Sequence, residues 1–219
     1  MFSGLRATMQ RVFSPLAAAL MRMGVSPDAV TIAGTVVVTA LALGLLPTGH
    51  LFRGALLIGV FALFDSLDGV LARMTGRSGP WGAFLDSTLD RVSDGAVFAG
   101  ITLWFVLHPD EPYATWGAGA ALACLVLGGV VPYARARAES VGADAHVGIA
   151  ERTDRLVIAL VPTGLVQLGL PVLVLVVVLG LLAVASLVTV VQRVSAVHRQ
   201  LRSREAGVAG EGGVAGGAA

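Results

Sequence analysis

The chain has 219 residues, 56% of them hydrophobic and only 13% charged, with a mean hydropathy of +0.83. Soluble domains carry about 25% charge and about 45–50% apolar residues, so this composition excludes an ordinary soluble domain, and with it a disordered chain, a collagen and a disulfide scaffold. Apolar runs of about 20 residues mark an integral membrane protein instead. The net charge of +1 hides an uneven distribution: all 15 basic residues are arginine, and five of the 14 acidic residues lie inside apolar segments.

Phe2, Leu5, Met9, Val12, Phe13, Leu16 and Leu20 recur at helical spacing, with Arg6, Gln10, Arg11 and Ser14 largely elsewhere on the wheel. This pattern predicts an amphipathic helix over residues 1–24, lying in the membrane interface. Its apolar run at 16–21 is too short for the core of a secretory signal. Ser26, Pro27 and Asp28 then read as a helix start. Six spans are predicted, all α-helical: 29–46, ended by Pro47-Thr48-Gly49; 51–74; 81–107, stopped by His108-Pro109-Asp110; 114–134; and two within 156–191. That last stretch is too long for one span, and Gln167, Gly169 and Pro171 mark the hairpin turn inside it. The fifth span reaches a crossing length only if it begins near Ala150. The six-span domain is expected over 25–204, followed by a disordered Gly/Ala-rich tail over 205–219. Cys124, the single cysteine, falls in an apolar run and reads as a small packed hydrophobe.

Arginine placement orients the scheme. With a cytoplasmic N-terminus, thirteen arginines fall on cytoplasmic segments and only Arg53 on an external one, while Arg91 lies within a span. That asymmetry predicts two cytoplasmic termini in a multi-pass protein.

Asp65, Asp68, Asp86, Asp90 and Asp94 sit in the second and third spans. A charged Asp at the centre of a span costs about 2.5–3.5 kcal/mol, so five of them demand a function. Spacings of three and four place them on one face of each helix, and a short loop brings the two faces together. Clustered carboxylates stay ionised only beside a compensating cation. Oxygen donors without histidine or cysteine select a hard one, Mg²⁺, Mn²⁺ or Ca²⁺. Two such ions suit phosphoryl transfer. A cation channel or transporter would use the same aspartates, and would pass metal without releasing a nucleotide.

The segment reads Asp65-x2-Asp68-Gly69-x2-Ala72-Arg73-x8-Gly82-x3-Asp86-x3-Asp90. It resembles the signature of the CDP-alcohol phosphatidyltransferases and matches it at all eight fixed positions over 26 residues. The resemblance implies that Asp65, Asp68, Asp86 and Asp90 hold two Mg²⁺ or Mn²⁺ ions. It implies further that Asp90 is the general base, and that Gly69, Ala72, Arg73 and Gly79 line the site for a CDP-linked lipid. Asp94 lies outside the signature and either extends the polar face or pairs with Arg91 or Arg73.

The stretches 25–31 and 84–95 are similar to those of the actinobacterial phosphatidylinositol phosphate synthases, a branch of that family. This likeness implies CDP-diacylglycerol and inositol 1-phosphate as substrates, a homodimer in the bacterial plasma membrane, and lipid contacts from Asp28, Ala29, Val30 and Thr31. A phosphorylated acceptor needs a counter-charge, and Arg135, Arg155 and Arg193 at span ends are candidates for it, since arginine's fork suits phosphate. The competing reading makes them ordinary cytoplasmic-face arginines, as Arg137, Arg199, Arg202 and Arg204 are taken to be. Glycerol 3-phosphate, the acceptor of phosphatidylglycerol phosphate synthases, would need the same clamp. Nothing in the composition points to a nucleic acid.

Overall fold

The computed structural model describes residues 24–64, 79–145, 147–148 and 152–214. These form six helices: α1 (Pro27–Leu45), α2 (Leu51–Phe64), α3 (Pro80–Leu107), α4 (Ala114–Ser140), α5 (Arg152–Val166) and α6 (Val172–Val214), with no strand among the described residues. The amphipathic helix expected over 1–24 falls almost wholly outside the described residues, as do Asp65, Asp68, Gly69, Ala72 and Arg73.

The helix boundaries follow local chemistry. Ser26 caps α1, accepting a hydrogen bond from the Ala29 amide at 3.2 Å, and Pro27 occupies the first turn, where a missing N–H costs nothing. His108 ends α3 by donating its backbone N–H to the Trp104 carbonyl. The turn at 167–169 closes with Gly169 at φ +102°, a conformation that glycine adopts without strain, and α6 begins directly after Pro171. The fifth helix starts at Arg152, close to the earlier of the two starts considered. The last helix continues to Val214, into a stretch that its composition alone would leave disordered. No proline stops it there, although each glycine costs about 1 kcal/mol relative to alanine.

The helices pack as a closed ring. Going round, α1 neighbours α2, α2 neighbours α5, α5 neighbours α6, α6 neighbours α4, α4 neighbours α3, and α3 returns to α1. Successive helices run in opposite directions. At one end, Gln167 Oε1 accepts from the Phe52 amide at 2.7 Å, and Gly49 lies against the His108 ring. The other end holds the starts of α1 and α3, where Trp81 reaches Asp28.

The burial pattern is that of a molecule in an apolar solvent. Large apolar side chains such as Val36, Leu56, Val106, Leu122, Val161 and Leu181 face outward, while Thr31, Thr35, Ser93, Asp94, Arg155 and Thr163 are buried. Interior hydroxyls donate back to carbonyls one turn earlier: Thr163 to Ala159 at 2.7 Å, Ser186 to Leu182 at 2.8 Å and Thr189 to Ala185 at 2.9 Å. Among the described residues three helices, α1, α4 and α6, are long and apolar enough to cross a membrane by length and composition. The carboxylates and Arg91 keep α3 from that group, and α5 is short at 15 residues. Phe98, Ile101, Trp104 and Phe105 of α3 pack with Leu46, Leu51, Leu175 and Leu179 in the core.

Candidate active site

The first half of α3 carries the described carboxylates. Pro80 opens the helix behind Gly79, whose extended backbone (φ −154°, ψ 173°) turns the chain into it. Asp86 is exposed, Asp90 is half-buried and Asp94 is buried. The three descend one face of α3 from its start toward the ring's interior, with a rise of about 6 Å between successive members. Arg91 Nη2 lies 3.4 Å from Asp90 Oδ2.

Asp86 and Asp90 are acid-only oxygen donors one turn apart, the donor type a hard divalent cation takes. Among the described residues no three His, Cys, Asp or Glu side chains form a metal cluster. The other two expected ligands, Asp65 and Asp68, lie outside the described residues. The fit of Asp86 and Asp90 is therefore to two donors of a set, not to a complete shell.

At the start of α1, Trp81 Nε1 donates to Asp28 Oδ2 at 3.0 Å, tying the first turn of α1 to the first turn of α3 beside Gly79. Ala29 is exposed and Val30 is half-buried. Thr31 is buried, and its hydroxyl donates to the Pro27 carbonyl at 3.2 Å within its own helix. Asp28 is thus linked to α3 by a side-chain hydrogen bond. Trp81 itself was not legible as a functional residue: no spacing rule connects it to Asp28, 53 positions earlier.

The three candidate phosphate-binding arginines come from three helices and gather at this same end. Arg193 of α6 lies within electrostatic reach of both Arg135 of α4 and Arg155 of α5. Its guanidinium donates to the Val131 carbonyl of α4 and, at 2.9 Å, to the Val147 carbonyl of the α4–α5 connection. Arg155 is buried, with Nη2 3.5 Å from Asp94 Oδ2. Arg135 is exposed and bridges Glu139 one turn on at 3.0 Å, a pair of little energetic weight in solvent. Farther out, Gln200 accepts from the Asp144 amide at 2.9 Å, and Arg204 donates to the Gly142 carbonyl at 2.7 Å, strapping the connection to α6. Arg204 is thereby more than a surface charge. Arg155 is a partner of Asp94; of the two arginines considered from sequence, Arg91 lies against Asp90 and Arg73 falls outside the described residues.

A ring of helices with an apolar outside is the burial pattern of a membrane protein, and here carboxylates and guanidiniums gather at one end of it. The chain belongs to the CDP-alcohol phosphatidyltransferase family, an enzyme family whose model matches residues 24–152. It is 48% identical to the phosphatidylinositol phosphate synthase of Streptomyces avermitilis over 160 residues, which is 73% of this chain and 64% of that protein. The chain thus spans just under two thirds of that relative's length. The crystal structure of the Mycobacterium tuberculosis phosphatidylinositol phosphate synthase with CDP-DAG bound superposes with a TM-score of 0.80 at 44% identity, over 85% of this chain and 94% of that one. The same enzyme in complex with manganese and citrate superposes with a TM-score of 0.79 at 44% identity, over 84% and 88% of the respective chains.

Proposed function

We propose that the chain transfers the phosphatidyl group of CDP-diacylglycerol to inositol 1-phosphate, forming phosphatidylinositol phosphate and CMP. The observation that carries this reading is the convergence of Arg135, Arg155 and Arg193 at the end of the ring where Asp86 and Asp90 stand. A carboxylate site alone serves any acceptor of the family. An added cluster of three guanidiniums suits an acceptor that brings its own phosphate.

In this mechanism Asp28, Ala29, Val30, Thr31, Gly69, Ala72, Arg73 and Gly79 receive the CDP-lipid. Asp65, Asp68, Asp86 and Asp90 hold two Mg²⁺ or Mn²⁺ ions, which supply neutralisation of the diphosphate and of the departing CMP. The arginines bind the acceptor's phosphate and present a ring hydroxyl to the β-phosphorus. The Asp90 carboxylate takes the hydroxyl proton as the new P–O bond forms and the bond to CMP breaks. Arg91 Nη2, 3.4 Å from Asp90 Oδ2, helps orient that carboxylate.

All six helices cross the bacterial plasma membrane, with residues 1–24 lying on its inner face and both termini cytoplasmic. Lipid then enters between helices and the polar acceptor enters from the cytosol. The protein works as a homodimer, the arrangement that its family resemblance implies. The test is CMP release from CDP-diacylglycerol with Mg²⁺ and one acceptor at a time. Release with inositol 1-phosphate, and not with inositol, serine or glycerol 3-phosphate, is the expected result. Release with glycerol 3-phosphate alone overturns the acceptor assignment.

A further inference from the structure

Asp94 lies outside the eight-position signature, yet it is the one buried carboxylate among the described residues. Its Oδ2 stands 3.5 Å from Nη2 of Arg155, the two side chains being 6% and 7% exposed. The pair joins α3 to α5, which are not neighbours in the ring, so it crosses the ring's interior. Asp94 is one turn along α3 from Asp90 and on the same face. Gly128 of α4 lies beside the guanidinium, a Cβ added there falling 3.8 Å from Arg155 Nη1.

Fixing a long arginine stem costs rotamer entropy, and a group that fixes it before the anion arrives removes that cost from binding. Arg155 is also pushed by like charge, because Arg193 lies within electrostatic reach of it. A buried carboxylate on the opposite wall opposes that push.

We propose that Asp94 is a positioning residue for the acceptor site: it holds the Arg155 guanidinium at the height of the carboxylate ladder, where the acceptor's phosphate must lie for its hydroxyl to reach Asp90. The proposal rests on the reading that Arg155 binds that phosphate. It also makes a prediction of sign. If Asp94 mattered only through its charge, removing it would make the arginine cluster more positive, and the acceptor would bind more tightly. Positioning demands the reverse.

The experiment is steady-state CMP release by the full chain in detergent or proteoliposomes, comparing wild type, Asp94→Asn, Arg155→Ala and the double variant. Asp94→Asn is expected to raise the KM for inositol 1-phosphate about tenfold. The KM for CDP-diacylglycerol and the half-saturating Mg²⁺ concentration stay within twofold, and kcat at saturating acceptor falls less than threefold. In the Arg155→Ala background the same change adds nothing. An acceptor KM that is unchanged or lowered, a shifted Mg²⁺ requirement, or an equal effect in both backgrounds overturns the proposal. Should Asp94→Asn not fold, Asp94→Glu carries the test, since it keeps the charge but displaces the carboxylate by one methylene. A rise in acceptor KM supports positioning, and an unchanged one refutes it. A wild type that releases no CMP with any phosphorylated acceptor marks failure of the underlying functional reading instead.

Discussion

Gly100 sets how closely α1 approaches α3, and therefore how Asp28 is placed relative to Asp86 and Asp90. A Cβ added to Gly100 would overlap the Ala42 carbonyl oxygen, and would lie 3.1 Å from that carbonyl carbon and 3.2 Å from Leu46 Cδ1. The obstruction is backbone, which cannot rotate away as a side chain tip can. Carbon–oxygen contacts relax only at about 3.3–3.6 Å, so Gly100→Ala must part the helices by roughly 1 Å. Overpacking of this kind costs about 1–3 kcal/mol. For a chain of this size each kcal/mol lowers Tm by about 2–4 °C, giving a fall of roughly 2–12 °C. The control is Gly119→Ala on α4, where an added Cβ meets nothing within 4 Å. There the alanine should leave Tm level or raise it, by up to about 1 kcal/mol of helix propensity. Thermal unfolding of both variants in one detergent, with CMP release measured alongside, makes the comparison. A Gly100→Ala protein as stable as the Gly119→Ala protein would refute the close α1–α3 crossing.

Three further outcomes follow from the site. Asp90→Asn should abolish CMP release while equilibrium binding of CDP-diacylglycerol persists, and a residual rate above about 1% of wild type would contradict its role as base. Treatment with EDTA should stop turnover and added Mg²⁺ or Mn²⁺ should restore it, whereas activity in excess chelator would remove the metals from the mechanism. Trp81→Phe deletes the 3.0 Å hydrogen bond to Asp28. A charge-assisted bond of this kind is worth about 1.5–3 kcal/mol when buried and less at this exposed end, so the KM for CDP-diacylglycerol should rise about fivefold with kcat nearly unchanged. An unaltered KM would detach Asp28 from the lipid site.

What the sequence made legible was whatever repeats along a single helix. Apolar runs and their punctuation at Gly49, Pro109 and Gly169 located the starts of the described helices within a few residues, because turns are decided by local backbone chemistry, whereas the last helix runs on to Val214. Asp86, Asp90 and Asp94 could be stacked on one face by their spacing alone. Contacts between helices were not legible. Asp94 has Arg91 three residues away in the same helix, yet Arg91 turns to Asp90 and Asp94 meets Arg155 across the ring. That choice depends on which helices close the ring, and no periodicity within one helix encodes it. The same holds for Trp81 with Asp28, and for the bonds from Arg193 to the carbonyls of Val131 and Val147. Converging arginines were anticipated from their reading at span ends, but only Arg155 lies in a terminal turn, while Arg135 is inside α4 and Arg193 is midway along α6, and packing brings the three together.

The central claim is a group transfer within the membrane, and lipid product analysis tests it most directly. Purified protein in proteoliposomes receives CDP-diacylglycerol, Mg²⁺ and inositol 1-phosphate, and the lipids are identified by mass spectrometry while CMP is counted. Phosphatidylinositol phosphate and CMP should appear in equal amounts, with neither formed when the acceptor is omitted. Passage of divalent metal across the same vesicles without any new lipid or CMP would contradict the account and make the carboxylates an ion path.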